Sequence, residues 1–217
     1  MARYFRGWES DTAGSTPTGV DLNDTTNFIP TASTSNPYTG SNSCKLEKIL
    51  GAPTGNHWYF RDTSNLPGGR GDYTVRAVFI SPDDVQIRFG ILFRGHNTTT
   101  DNGFAMMYRA SNTRRFSSIS GTTETVITTA TTTAINTTSF WWVKVYASGT
   151  TMRGRFWENG TAEPTTWDID TTSSTYANTQ WSVGYYFFNG TDNSNATYGD
   201  NLEVIDEGNL TLIGTGG

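Results

Sequence analysis

Short runs of alternating apolar and polar residues, cut every few positions by Gly, Asn, Asp or Pro, constrain this 217-residue chain more than any other feature. A side-chain period of two belongs to half-buried strands, and the punctuation supplies their turns. The runs predict strands near 3–8, 43–50, 57–61, 73–80, 86–94, 104–109, 114–119, 123–128, 140–147, 151–158, 181–188, 201–206 and 209–213. Good helix formers such as Lys, Leu and Glu are scarce beside Thr, Asn, Ser and aromatics, so little helix is expected. So many short strands fit an all-β sandwich or barrel.

The sharpest local signal is a hairpin, Phe140–Ala147 and Thr151–Glu158, joined through Ser148-Gly149-Thr150. Trp141, Val143, Val145 and Ala147 share one face of its first strand, and Phe140, Trp142, Lys144 and Tyr146 the other. Met152, Gly154 and Phe156 alternate likewise with Arg153, Arg155 and Trp157. The aliphatic and small sets are expected in the core. Trp142, Lys144, Tyr146, Arg153, Arg155 and Trp157 then lie side by side on the opposite face, within cross-strand contact. Ile87, Phe89, Ile91 and Phe93 separate in the same way from Gln86, Arg88, Gly90, Leu92 and Arg94. Tyr73–Ile80 and Trp181–Phe188 are apolar on both faces. They read as central strands covered on both sides, or as strands with an exposed aromatic row.

Residues 10–42 have little periodicity and are expected to form one long irregular excursion. Residues 122–138 read as a Thr-rich edge strand with its loop, and 214–217 as a mobile tail. With no repeat and no firm boundary, 1–217 is expected to be a single domain. Charged residues make up only 16% of the chain, yet 12 Phe, 10 Tyr and 7 Trp can build a core, which is not the composition of disorder. A formal charge of −5 argues against nucleic acid as a partner. No apolar run approaches the ~20 residues of a membrane helix, and the start Met1-Ala2-Arg3-Tyr4-Phe5-Arg6 lacks the apolar segment of a secretory signal. The lone Cys44 excludes an internal disulfide. With only His57 and His96 beside it, a Cys/His zinc site or a Cys–His nucleophile is disfavoured against a small buried residue.

Three segments together resemble the concanavalin A-like (laminin-G-like) jelly-roll superfamily. They are Phe140-Trp-Trp-Val-Lys-Val-Tyr146 with Thr151-Met-Arg-Gly-Arg-Phe-Trp157, Asn159-Gly-Thr-Ala-Glu-Pro164 and Trp167; Tyr198-Gly-Asp-Asn-Leu-Glu-Val204; and Phe5-Arg-Gly-Trp-Glu9 with Gly14 and Pro17. The resemblance implies a two-sheet antiparallel jelly roll with its opening strand beside its closing one. It also implies a structural Ca²⁺ where those strands meet, with Glu9, Asp11 and Asp200 as ligands and Asn201 as an amide donor; the alternative is that these acids cap turns. Laminarinase-like members carry three acids at alternate positions of one strand. Here Glu203-Val-Ile-Asp206-Glu207 puts Ile205 where the second acid belongs, so a glycoside hydrolase is the weakest reading and the protein is expected not to be an enzyme. The signal-free start and the Thr/Asn/Gly-rich acidic texture look like bacteriophage virion proteins. The main expectation is therefore a capsid decoration or tail accessory subunit at the particle surface, contacting other virion proteins. A lectin-like module for host-surface glycan is the alternative.

Aromatic and guanidinium groups on one face suit a protein partner and, behind it, sugar rings; a third reading is that the chain's own loops cover the ladder. Arg70-Gly71-Asp72 reads as a turn into the strand at Tyr73. The sequons at Asn23, Asn97, Asn136, Asn159, Asn189, Asn195 and Asn209 imply little in so Thr- and Asn-rich a chain.

Overall fold

The computed structural model describes residues 3–22, 26–47, 49, 52, 57–62, 72–82, 88–96, 102–109, 112–121, 123–132, 134–175, 182–188 and 196–206. In chain order the strands are β1 (Arg3–Arg6), β2 (Val20–Leu22), β3 (Thr31–Ser33), β4 (Ser43–Leu46), β5 (His57–Asp62), β6 (Tyr73–Ile80), β7 (Arg88–His96) and β8 (Asn102–Arg109). They continue with β9 (Thr113–Ser120), β10 (Thr123–Thr131), β11 (Trp141–Ser148), β12 (Thr151–Glu158), β13 (Ile169–Thr172), β14 (Ser182–Phe188) and β15 (Thr197–Asp206). Two antiparallel sheets result. The first has the order β13-β12-β11-β6-β15-β4-β3, with β1 also on β15; the second runs β10-β9-β8-β7-β14-β5-β2. The described residues contain no helix.

The parity expected for the hairpin holds. Val143, Val145, Ala147, Met152 and Phe156 are buried between the sheets, while Trp142, Lys144 and Tyr146 alternate outward. From the facing sheet come Phe89, Ile91, Phe93, Phe104, Met106, Phe116, Tyr185 and Phe187. Phe79 of β6 meets Phe89 at 5.0 Å and Tyr185 at 4.9 Å between ring centroids, so aromatic packing spans the two layers. Both faces of β14 are buried, which selects the doubly covered reading of that strand. Leu92, Ala105, Met107, Ile119, Tyr186 and Phe188 form a second cluster on the far face of the second sheet.

The layers are also bolted by charge. Arg114 of β9 reaches across to Asp168, just before β13, at 2.5 Å. The same carboxylate accepts the backbone N–H of Phe156 at 2.6 Å. Cys44 is free and fully buried, as a small apolar residue would be.

The 10–42 stretch is less irregular than expected, because β2 and β3 lie inside it and dock on β5 and β4. Their three residues each are too short to show a period, and β13 escaped notice for the same reason. β15 begins four residues before the expected 201, since Thr197, Tyr198 and Gly199 pair with β4. The predicted strand at 209–213, the 214–217 tail, Gln86, Ile87, Trp181, Glu207, Arg70, Gly71 and the sequon asparagines 23, 97, 189, 195 and 209 lie outside the described residues.

Candidate functional site

Register places the six predicted face residues together. Trp142 stands opposite Trp157, Lys144 opposite Arg155 and Tyr146 opposite Arg153. The next stretch of chain changes their role. After the Asn159-Gly160 turn, the 161–168 segment folds back over this face. Glu163 takes Lys144 at 2.8 Å and also Arg155. Arg155 donates to the Pro164 carbonyl and lies 4.1 Å from the centre of the Trp167 ring. Tyr146 packs on Trp167, and Arg153 pairs with Asp170 at 2.9 Å. Burial acts to raise the pKa of Glu163, but the hydrogen bond from Lys144 and the charges of Lys144 and Arg155 outweigh it and hold the carboxyl below its ordinary range. Trp157 is only 8% exposed and stacks on Trp142 at 6.1 Å and 14°. Lys144, Tyr146 and Arg155 therefore fit the third reading, covered by the chain itself, while Trp157 is buried against Trp142 and Arg153 keeps 40% side-chain exposure.

Trp142 is different, because it also borders a depression. Moving from β11 to β6, β15 and β1, the outer face forms a depression of about 300 Å³ lined by Phe5, Arg76, Trp142, Asn201 and Glu203. Phe5 is 58% exposed and Glu203 only 3%. Arg76 donates to Glu203 at 2.5 Å and sits 5.3 Å over the Trp142 ring. Phe5, Glu203, Arg76 and Lys144 form one cross-strand row. A bulge between Asp200 and Glu203, with Asn201 in the left-handed region at φ 50°, breaks the period of β15. Both acids consequently stand opposite outward positions of β6, Asp200 at Val78 and Glu203 at Arg76.

The rim is set by the 10–42 stretch. Asp200 accepts the backbone N–H groups of Tyr38 at 2.9 Å and Thr39 at 3.1 Å, and Glu9 those of Ser41 at 2.9 Å and Asn42 at 3.1 Å. Two carboxylates thus clasp one turn, whose Gly40 (φ 68°) has no room for a Cβ beside Glu9. The turn delivers Tyr38 to the edge of Trp142 at 5.4 Å, and both Tyr38 Oη and Trp142 Nε1 donate to Asn159 Oδ1. Burial pushes the pKa of Asp200 up against its hydrogen bonds from Thr39, Asn201 and Tyr38.

This arrangement bears on the Ca²⁺ expectation for Glu9, Asp11 and Asp200. The turn N–H groups donate to Glu9 and Asp200, Asn201 N to Asp200, and Thr18 to Asp11 Oδ1, while the buried Asp11 Oδ2 accepts no hydrogen bond and lies 3.5 Å from Arg6. A Ca²⁺ ion needs 6–8 converging oxygens. Among the described residues, no group of three or more His, Cys, Asp or Glu side chains could hold a metal. As placed, the three acids cap loops, the alternative the sequence left open.

Sequence reasoning singles out Trp142 but misses Phe5, Arg76 and Tyr38 as its companions, and gives Asn201 and Glu203 other roles. They arrive from strands and a loop far apart in the chain, and the bulge hides the parity of Glu203. The usable signal is Arg76, a lone cation inside an apolar strand.

Compared by sequence, neither a protein-family model nor a curated protein matches the chain. Solved structures do match in shape. A carbohydrate-binding module, CBM66 from Bacillus subtilis, superimposes with a TM-score of 0.59 at 14% identity over 89% of this chain and 98% of that one. Lectin UEA-II complexed with galactose gives 0.59 at 8% identity, over 94% and 97%. The exoplasmic/lumenal domain of VIP36 in a Ca²⁺- and mannose-bound form gives 0.58 at 12% identity, over 94% and 89%. The fold is the concanavalin A-like jelly roll. Opening strand beside closing strand, as in β1 on β15, is the pairing the resemblance implied. As a jelly roll the chain shares its architecture with proteins described as carbohydrate-binding, though at identities that carry the fold alone.

Proposed function

We propose that this jelly roll is a non-enzymatic carbohydrate-binding module whose site is the Phe5–Trp142 depression. The observation that carries the reading is one aromatic on each side of a sunken, hydrogen-bonding ion pair, Arg76–Glu203. A sugar ring offers C–H faces to aromatic walls and hydroxyls to charged groups, and ligand sites of this kind combine apolar lining with few placed polar groups. The volume of about 300 Å³ suits one ring more than an extended chain. The cations of this face are paired with carboxylates: Arg76 with Glu203, Lys144 and Arg155 with Glu163, and Arg153 with Asp170. The favoured ligand is accordingly a neutral glycan rather than a sulfated or uronic one.

The test is a glycan array followed by calorimetry on the strongest neutral hit. Trp142→Ala is expected to weaken binding by roughly 30-fold, the loss typical of an aromatic anchor, with a cooperative melting transition kept at a lower temperature because the contacts to Trp157, Tyr38 and Asn159 are lost. Binding confined to anionic glycans, or equal affinity in the variant, would sink the reading. The virion-subunit expectation has composition behind it and no structural observation. Purified particles that take up wild type and Trp142→Ala at the same fixed stoichiometry, with no glycan retained by either, would restore it.

A further inference from the structure

The sequence contains three Asn-Gly pairs, Asn102-Gly103, Asn159-Gly160 and Asn189-Gly190, the last outside the described residues. In such a pair the glycine nitrogen can reach the asparagine side-chain carbon, because no glycine Cβ stands in its way. The two described pairs differ in what the fold leaves free. Asn102 and Gly103 lie in β8, with β9 on one side and β7 on the other. An extended backbone with a strand on each side holds the Gly103 nitrogen in place. Asn159 and Gly160 are exposed in the turn after β12. Thr161 N donates to the Glu158 carbonyl at 3.2 Å, and Gly160 takes the third position of that turn at φ 88°, the type II form. Asn159 Oδ1 accepts Tyr38 Oη at 2.9 Å and Trp142 Nε1 at 3.2 Å. Among the described residues, neither the Gly160 N–H nor Asn159 Nδ2 donates a hydrogen bond.

We infer that Asn159-Gly160 is a self-modification site, converted in the folded protein to isoaspartate and aspartate with loss of ammonia. Gly160 N gives its proton to hydroxide and attacks Asn159 Cγ. As that bond forms, negative charge gathers on Oδ1, where Tyr38 and Trp142 already donate, and donors placed in advance lower such a barrier. The Cγ–Nδ2 bond then breaks, and ammonia leaves with a proton from water, which restores the hydroxide. Water opens the cyclic imide. Opening at Cγ gives aspartate, and opening at the backbone carbonyl gives isoaspartate, with the chain rerouted through the side chain. The balance is one amide and one water to one carboxylic acid and one ammonia.

Isoaspartate adds a methylene to the chain inside the Glu158–Thr161 turn and takes from Tyr38 and Trp142 their shared acceptor. One wall of the depression and the start of the 161–168 segment lose an anchor together. No step needs a bound glycan, so the inference stands or falls apart from the glycan proposal.

Incubating the intact protein at mildly alkaline pH, then mapping its peptides, tests this. Position 159 is expected to gain about one dalton and to become a substrate for isoaspartate methylation, while Asn102 stays intact. Gly160→Ala, whose Cβ would meet nothing within 4 Å, should fold and convert far more slowly. Tyr38→Phe should slow conversion severalfold in the folded protein. In urea it should match wild type, and Asn102 and Asn159 should then convert alike. The converted protein should show a displaced Trp142 indole signal. No conversion at position 159, equal conversion at 102 and 159 in the folded protein, or a folded Tyr38→Phe variant converting as fast as wild type would each overturn the inference.

Discussion

Asp168→Ala is expected to cost about 3 kcal/mol of stability, one of the two largest effects the structure predicts. Removing the carboxylate leaves Arg114 buried with its main counter-charge gone, its side chain 6% exposed, and strips the Phe156 N–H of its acceptor. Breaking one side of a buried pair costs far more than the pair's net worth, because the remaining charge stays desolvated. Asp168 itself keeps 17% side-chain exposure, so water reaches the site and the low end of the usual range applies. For a chain of this size the loss corresponds to a fall in melting temperature of roughly 6–12 °C. Asp170, the exposed partner of Arg153 on the same edge of the sheet, makes the natural control. Asp170→Ala should change stability by less than about 1 kcal/mol. Equal melting shifts in the two variants would mean that Arg114 and Asp168 do not bolt the sheets.

Gly90→Ala is expected to prevent folding. A Cβ built at Gly90 would lie 1.9 Å from the Met106 carbonyl oxygen and 2.7 Å from the Met107 Cα. Those atoms are backbone of β8, hydrogen-bonded to β9 on its far side, so neither strand can retreat without losing its ladder. The cost exceeds the about 4 kcal/mol that marks exceptional substitutions. Gly7→Ala, whose Cβ would meet the Phe5 ring at an ordinary 3.4 Å, is the matched control. Circular dichroism and yield of soluble protein distinguish them: Gly7→Ala should melt like wild type, and Gly90→Ala should show no cooperative transition. A folded Gly90→Ala protein would mean that β7 and β8 are farther apart than described.

The sandwich was legible because its strongest signals are local. Trp142 and Val143 are neighbours with opposite fates, and a period of two across β11 and β12 is enough to sort them. The site was half legible for the converse reason. Alternation identified which hairpin residues face away from the core, but not that Glu163 and Trp167, ten or so residues later, return to cover most of them. Nor does periodicity report a bulge. Asp200 and Glu203 are three apart, which in a regular strand puts them on opposite faces, and only the left-handed Asn201 reunites them. The loop carboxylates show a similar limit. Acids near opening and closing strands look like metal ligands in sequence, and whether backbone N–H groups reach them first depends on where the 38–42 turn lies.

The most direct test of the glycan site is a ¹⁵N-resolved NMR titration with a neutral sugar taken from the array. Seven tryptophans give seven indole N–H signals. The Trp142 signal is expected to move with saturation, together with the backbone amides of Phe5, Arg76 and Glu203, while the buried Trp8 and Trp141 signals stay in place. Shifts confined to strands of the second sheet, with Trp142 unmoved, would contradict a site on the Phe5–Trp142 face.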